Sequence, residues 1–139
     1  MGIPFFSEEW ISAYKTAINA NPAYKTAAAD WTYGVVALIC KALPPALPTD
    51  VGIWLDLDRG VCHEAKLVTV AEAAKAPFCI TGEHARWKQV LKKELEPIKG
   101  MMQGKLKLKG DLPTIVRAVA AAQELVNSAA TLDTKFLDE

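Results

Sequence analysis

Cys62-His63-Glu64 sets a thiol beside an imidazole and a carboxylate, the residue types of a cysteine nucleophile and its base. On a strand, neighbouring side chains point to opposite faces, so Cys62 and His63 do not form a local pair. Asp56 and Asp58 share a strand face close to a turn. That spacing suits a bound cation or an acid and base pair, and equally the solvated end of a hairpin. Glu83-His84 reads as capping at a helix start, since no other His or paired Cys lies at zinc-ligand spacing. No metal and no cofactor are expected. Gly104 to Gly110 frames three lysines but lacks the Gly-Lys-Ser/Thr ending of a phosphate loop, which argues against nucleotide hydrolysis there.

With bond-breaking chemistry poorly served, residues 97–112 say more. They join a Met-bearing turn to a strand with one greasy and one cationic face. Alternation places Leu106 and Leu108 toward an apolar interior and Lys105, Lys107 and Lys109 toward solvent or anions. Such lysines discourage edge-to-edge pairing of sheets. With Lys99 they also suit anionic head groups or a CoA phosphate, each worth about 1 kcal/mol near an anionic membrane.

The elements that must position these residues follow from periodicity. Ser7 caps a helix through Asn19, with Glu8 and Glu9 at its positive end and Trp10, Ile11, Tyr14 and Ile18 as its apolar stripe; Asn21-Pro22 stops it. Trp31 to Cys40 alternates as a strand that is apolar on both faces near its end, and the proline cluster at 43–48 breaks it. Val51 to Leu57, with Val51, Ile53, Leu55 and Leu57 on one side, turns at Asp58-Arg59-Gly60 into the run Val61 to Val70, an antiparallel hairpin.

A short helix over 71–75 precedes a strand at Phe78 to Thr81. Thr81 caps a helix carrying Ala85, Trp87, Val90, Leu91 and Leu95, which ends before Pro97. A shorter helix carries Ile98, Met101 and Met102. Beyond the lysine strand, Gly110-Asp111 caps a last helix with the stripe Leu112, Ile115, Val116, Val119, Gln123 and Val126. The predicted fold class is α+β, a mostly antiparallel five-stranded sheet with helices packed on one face.

Length and charge bound the rest. A chain of 139 residues, 51% hydrophobic, reads as one domain over 1–139 whose core needs no metal or disulfide. Sixteen basic residues offset sixteen acidic ones, so no nucleic-acid partner is expected. Cys40, Cys62 and Cys79 sit in apolar runs and read as reduced core thiols. No run of about eighteen uncharged apolar residues exists, the start lacks a signal peptide's basic region, and Leu137-Asp138-Glu139 is no peroxisomal address. A cytoplasmic location is the expectation.

Residues Ala76 to Val126 resemble the sterol carrier protein type 2 family of nonspecific lipid-transfer domains in order and spacing. The strand Phe78–Thr81, the helix with Trp87, the turn with Met101 and Met102, the block Gly104-Lys105-Leu106-Lys107-Leu108-Lys109-Gly110-Asp111 and a closing apolar helix carry the likeness. Residues 31–70 match in pattern alone. The resemblance implies a lipid-binding fold with a hydrophobic pocket or tunnel between sheet and helices, accepting fatty acids, fatty acyl-CoA, phospholipids or sterols. It places Trp54, Phe78, Ile80, Trp87, Val90, Leu91, Ile98, Met101, Met102, Leu106, Leu108, Ile115 and Val119 in that pocket. Lys99, Lys105, Lys107 and Lys109 are the head-group candidates. The chain departs from the family in lacking the peroxisomal tail and in Pro113, which stiffens the entry to the last helix.

Physical reasoning adds that Met101 and Met102 repack around variable shapes, and that Ala118, Ala120, Ala121 and Ala122 leave room against the sheet. About ten buried methylenes at roughly 0.8 kcal/mol each give a gross gain near 8 kcal/mol, which corresponds to about micromolar dissociation. Uptake and release are then both feasible. The leading reading is a monomeric, non-enzymatic carrier of a hydrophobic small molecule, in transient contact with membranes. An interaction or dimerisation module serving a separate lipid-metabolising enzyme is the alternative. An enzyme using Asp56, Asp58 or His63 on a hydrophobic substrate comes third.

Overall fold

Ser7 opens the first helix as its spacing predicts, in a computed structural model that describes residues 2–138. Its hydroxyl accepts the Trp10 amide at 3.1 Å, and α1 (Glu8–Asn19), which follows the two-residue strand β1 (Ile3–Pro4), buries Trp10, Ile11, Tyr14 and Ile18. Asn21-Pro22 does more than end α1. The Asn21 carboxamide oxygen accepts the Ala23 and Tyr24 amides at 2.9 and 3.2 Å, so the pair also starts α2 (Pro22–Ala27). Proline at a first helical position loses no bond, because that amide has no intrahelical partner.

The expected strand from Trp31 begins only at Val36. Gly34 takes φ +91°, and its carbonyl accepts the Trp31 indole at 3.0 Å, which folds residues 31–35 into a loop ahead of β2 (Val36–Cys40). A loop with a cis Pro44-Pro45 bond leads to β3 (Val51–Asp58), and β4 (Val61–Val68) returns antiparallel to it. Arg59 and Gly60 make the two-residue turn, both at positive φ, as tight hairpins require.

Gly60 also lies against the end of α2. A Cβ there would stand 2.7 Å from Lys25 Cα and 2.8 Å from its carbonyl oxygen, both backbone atoms that cannot swing aside. Gly60→Ala is therefore expected to cost about 3 kcal/mol, combining left-handed strain with overpacking. A urea titration should show the midpoint fall with an unchanged slope.

Thr69 forms a capping box with Glu72 at α3 (Val70–Ala73), which leads to β5 (Phe78–Gly82). Thr81 is not the expected helix cap: it lies inside β5, opposite Lys107, and α4 (His84–Leu91) starts from Glu83 with no side-chain cap bond. The helix also ends sooner than its stripe suggests. Lys93 takes φ +62°, and Leu95 is buried from the following turn. Then come α5 (Pro97–Met102) and β6 (Lys107–Lys109), shorter than expected because the amides of Lys105 and Leu106 turn back onto the Gly100 carbonyl.

The single closing helix expected from the sequence is two. α6 (Leu112–Arg117) and α7 (Val119–Ala130) meet at Ala118, whose φ of −97° and ψ of 26° leave the helical region. β7 (Thr134–Lys135) then pairs in parallel with β1.

The main sheet has the order β4-β3-β2-β5-β6, antiparallel throughout except for the β2–β5 pair. One face carries Val36, Cys40, Ile53, Leu55, Leu57, Phe78 and Ile80 into the main core beneath α1, α2, α4 and α7. The opposite face is not bare, as a strict one-sided arrangement would have it. Ala37, Ile39, Val68, Ala73, Ala76 and Cys79 form a second, smaller core there, covered by α3 and flanked by Trp54.

Candidate functional site

Between the helical layer and the sheet lies a cavity of about 100 Å³. Its floor is Val36, Leu38, Leu55, Leu57 and Ile80; its walls are Trp10 and Tyr14 of α1, Tyr24 of α2, Trp87, Val90 and Leu91 of α4, and Pro97 and Met101 of α5. Ala121, Ala122, Leu125, Val126 and Ala129 of α7 form the roof, with Phe5, Trp31, Leu106, Ile115 and Ala118 closing the ends.

The cavity is a pocket, one of the two forms, pocket or tunnel, that the resemblance implies; an enclosed tunnel is not seen among the described residues. Six aromatic side chains project into the space between sheet and helices and occupy what alternating small residues would leave open. Its walls are largely apolar. The Trp10 indole donates to Thr134 Oγ1 at 2.9 Å, the Trp31 indole to the Gly34 carbonyl, and the Trp87 indole to the Ile39 carbonyl at 2.9 Å. Tyr14 donates to the Leu125 carbonyl at 3.1 Å. These bonds leave the faces of the rings for apolar contact.

Burial raises the pKa of both phenols, Tyr14 and Tyr24, well above the ordinary tyrosine value; Cys62 adds to both, and Tyr24 adds to that of Tyr14. They remain neutral donors. The Tyr24 hydroxyl, unlike that of Tyr14, has no hydrogen-bond partner among the described residues. Tyr24→Phe should thus leave the melting temperature unchanged or raise it, whereas Tyr14→Phe, which removes its hydrogen bond to the Leu125 carbonyl, should lose about 1 kcal/mol. Thermal unfolding of the two variants side by side reads the contrast.

Of the residues anticipated for a pocket, Ile80, Trp87, Val90, Leu91, Met101, Leu106 and Ile115 line this one. Phe78 and Ile98 are buried in the surrounding core, Phe78 against the Trp31 ring at 5.2 Å, and Leu108 packs half-buried at the sheet edge. Trp54 lies on the other face of the sheet, with the Lys66 ammonium 5.8 Å from its ring centre. The same alternation that puts Ile53 and Leu55 in the main core turns Trp54 away from it. Met102, at the end of α5, and Val119, at the start of α7, point outward, 67% and 47% exposed; Ala120 is exposed too.

Lys99, Lys105, Lys107 and Lys109 are all exposed and none lines the cavity; the Lys109 ammonium donates to the Ala74 carbonyl. The N-terminal aromatics Phe5, Trp10, Tyr14, Tyr24 and Trp31 were not anticipated as lining. Their stripe spacing is that of any packed helix, which is why only the fold reveals which of them border empty space.

The chemical candidates disperse. Cys62 is buried with its thiol directed to the Glu64 carbonyl at 3.4 Å, and burial pushes its pKa up to about 11, so it stays protonated at neutral pH; His63 beside it is exposed. Burial likewise pushes the Cys40 thiol up to about 12, with Asp50 adding to it, and raises that of Cys79. All three cysteines are free and buried. His84 is not a surface cap: it is buried, and its Nε2 accepts the Leu137 amide at 3.0 Å, tying the C-terminal segment down. A bulge between Asp56 and Leu57 interrupts the register near Asp58, which pairs with Arg59 at 3.9 Å. Among the described residues no group of three or more His, Cys, Asp and Glu is arranged to hold a metal, and no helix is long and apolar enough to cross a membrane.

Comparison with known proteins agrees with this geometry. A crystal structure of sterol carrier protein 2 is 38% identical, with a TM-score of 0.84 over 92% of this chain and 98% of its own. The conserved hypothetical protein TT1886 from Thermus thermophilus is 37% identical, with a TM-score of 0.85 over 96% and 95%. The apo form of sterol carrier protein 2 from Yarrowia lipolytica shares the fold at 18% identity, with a TM-score of 0.55 over 86% and 88%. No curated protein matches the sequence. The family model described as the SCP-2 sterol transfer family matches residues 14–123, the span holding the sheet, the lysine strand and most of the cavity wall, and the chain belongs to that family.

Proposed function

We propose that residues 1–139 act as a one-domain, monomeric lipid carrier, which takes up one acyl-chain or sterol-like ligand beneath α7 and catalyses no reaction of its own. Fatty acids, fatty acyl-CoA and phospholipid chains are the other guests of this chemistry. The observation that carries the reading is the largely apolar cavity, whose lining indoles and Tyr14 phenol have their polar atoms tied back to the protein. Family membership supports it independently.

At about 100 Å³ the cavity is smaller than the 300 Å³ or so at which small-molecule pockets begin, so uptake widens it. Leu91, Met101, Ala118, Ala122 and Leu125, all only half-buried, form the yielding side. Met101 repacks at little cost. Transient contact with a membrane belongs to the same proposal, since a carrier with micromolar affinity releases its guest where a bilayer competes for it.

The test is titration of delipidated protein with Nile red, followed by displacement with hexadecanoate, hexadecan-1-ol and cholesterol. Uptake with displacement by at least one of them at about micromolar concentration is expected. No uptake and no displacement by any of the three would count decisively against a carrier.

A further inference from the structure

We propose that Arg117 receives the anionic head of a single-chain amphiphile whose tail lies in the cavity, the chain entering where α6 meets α7. This rests on the carrier reading and assigns the residue that takes the head and the point where the chain enters. A second space, a cleft of about 270 Å³, lies on the outer side of that junction, and Trp31, Ala118 and Ala121 belong to the walls of both spaces. Cavity and cleft thus share a boundary built of one indole and two methyl groups. Only together do the two volumes reach the size at which small-molecule pockets begin.

The boundary is thin for a local reason. Ala118 ends α6 and begins α7 out of helical conformation, and Ala121 follows one turn on, so no long side chain fills the gap between the helices and Trp31. The two spaces differ in chemistry. The cavity carries no charged side chain and is apolar apart from its ring hydroxyl and indole groups, whereas the cleft carries Asp30, Tyr33, Thr114 and Arg117. An apolar room behind a polar porch is matched by a ligand with a long tail and a compact head.

Two charged porch groups, Arg117 and Asp30, are uncommitted, and Arg117 is the one that adjoins the break. The Thr114 hydroxyl already donates to the Asp111 carboxylate at 2.5 Å. Arg117 makes no ion pair or side-chain hydrogen bond among the described residues, and it is exposed at the residue adjoining the break. Its guanidinium is charged at every relevant pH and presents a planar fork of donors matching a carboxylate or a phosphate. Asp30, also unpaired among the described residues, lies in the same cleft and acts in the opposite sense on any charged head. The four lysines expected to serve as head-group contacts line neither space.

The experiment compares the intact protein with Arg117→Gln, Asp30→Asn and Lys107→Gln by Nile red displacement. The ligands are hexadecanoate, hexadecyl phosphate, hexadecylammonium and hexadecan-1-ol. Arg117→Gln should weaken one or both anions about fivefold, the scale of a solvent-exposed charge pair, while hexadecan-1-ol binding stays within about twofold. Which anion suffers more distinguishes a carboxylate from a phosphate head. Asp30→Asn should tighten the same anion, and added salt should narrow the gap between wild type and Arg117→Gln.

Equal weakening of the alcohol, an unchanged anion affinity in Arg117→Gln, or the fivefold loss appearing in Lys107→Gln instead would overturn the assignment and leave the carrier reading standing. Tighter binding of hexadecylammonium than of either anion would move the head to Asp30 and overturn it too. If wild-type protein binds none of the four, the carrier reading falls and this inference with it.

Discussion

Ala121→Phe is expected to abolish acyl-chain uptake while leaving the protein folded. Ala121 is buried on α7 and stands in the wall that the cavity shares with the cleft, so a phenyl ring there occupies both the roof and the passage. Excluding about five methylenes of a ligand removes roughly 4 kcal/mol, about a thousandfold in Kd. The ring's overpacking costs about 1–3 kcal/mol, tempered by the empty volume beside it. Nile red titration and circular dichroism on the same sample check the two halves. Retained wild-type affinity in a folded Ala121→Phe would show that ligands bind elsewhere.

Trp87→Ala is expected to lower the unfolding free energy by about 3–5 kcal/mol, the range for truncating a fully packed aromatic. Trp87 is buried on α4, and its indole reaches across to the Ile39 carbonyl on β2 at 2.9 Å, joining residues 48 positions apart. That reach depends on Gly82. A Cβ at Gly82 would stand 2.6 Å from Leu106 Cδ2 and 3.2 Å from Trp87 Nε1. Trp87→Phe keeps most of the apolar volume and loses the indole's hydrogen bond, and should lose only about 1–3 kcal/mol. Denaturant titrations of both variants separate packing from hydrogen bonding. Equal losses would mean that the hydrogen bond dominates.

The hairpin of β3 and β4 and the buried stripe of α1 were legible because alternation and helical spacing are local signals, and Ser7 and Arg59-Gly60 carry the cap and turn chemistry where these elements need it. Elements failed where one residue has two roles. Asn21-Pro22 stops one helix and starts another; Thr81 has the chemistry of a cap but is held in the sheet opposite Lys107. The break at Ala118 has no local mark at all, since alanine is the strongest helix former.

The candidate site divides along the same line. Ile80, Trp87, Val90, Leu91, Met101, Leu106 and Ile115 reach the cavity as the family resemblance implies, whereas Trp54 and Met102, placed there by the same resemblance, lie on the faces of their elements turned away from it. Lysines drew attention through their repetition, and a lone Arg117 did not. A single cation becomes meaningful only when folding sets it at an opening.

The parallel pairing of Ile3–Pro4 with Thr134–Lys135 brings the two ends of the described chain to one corner. A domain wired in this manner has its input and output leads side by side, and it can be spliced into a surface loop of a host protein without prying the host apart. A circular permutant that joins residues 2 and 138 through a short glycine-serine linker, with new ends opened in the loop between Leu43 and Val51, should accordingly refold and retain Nile red uptake.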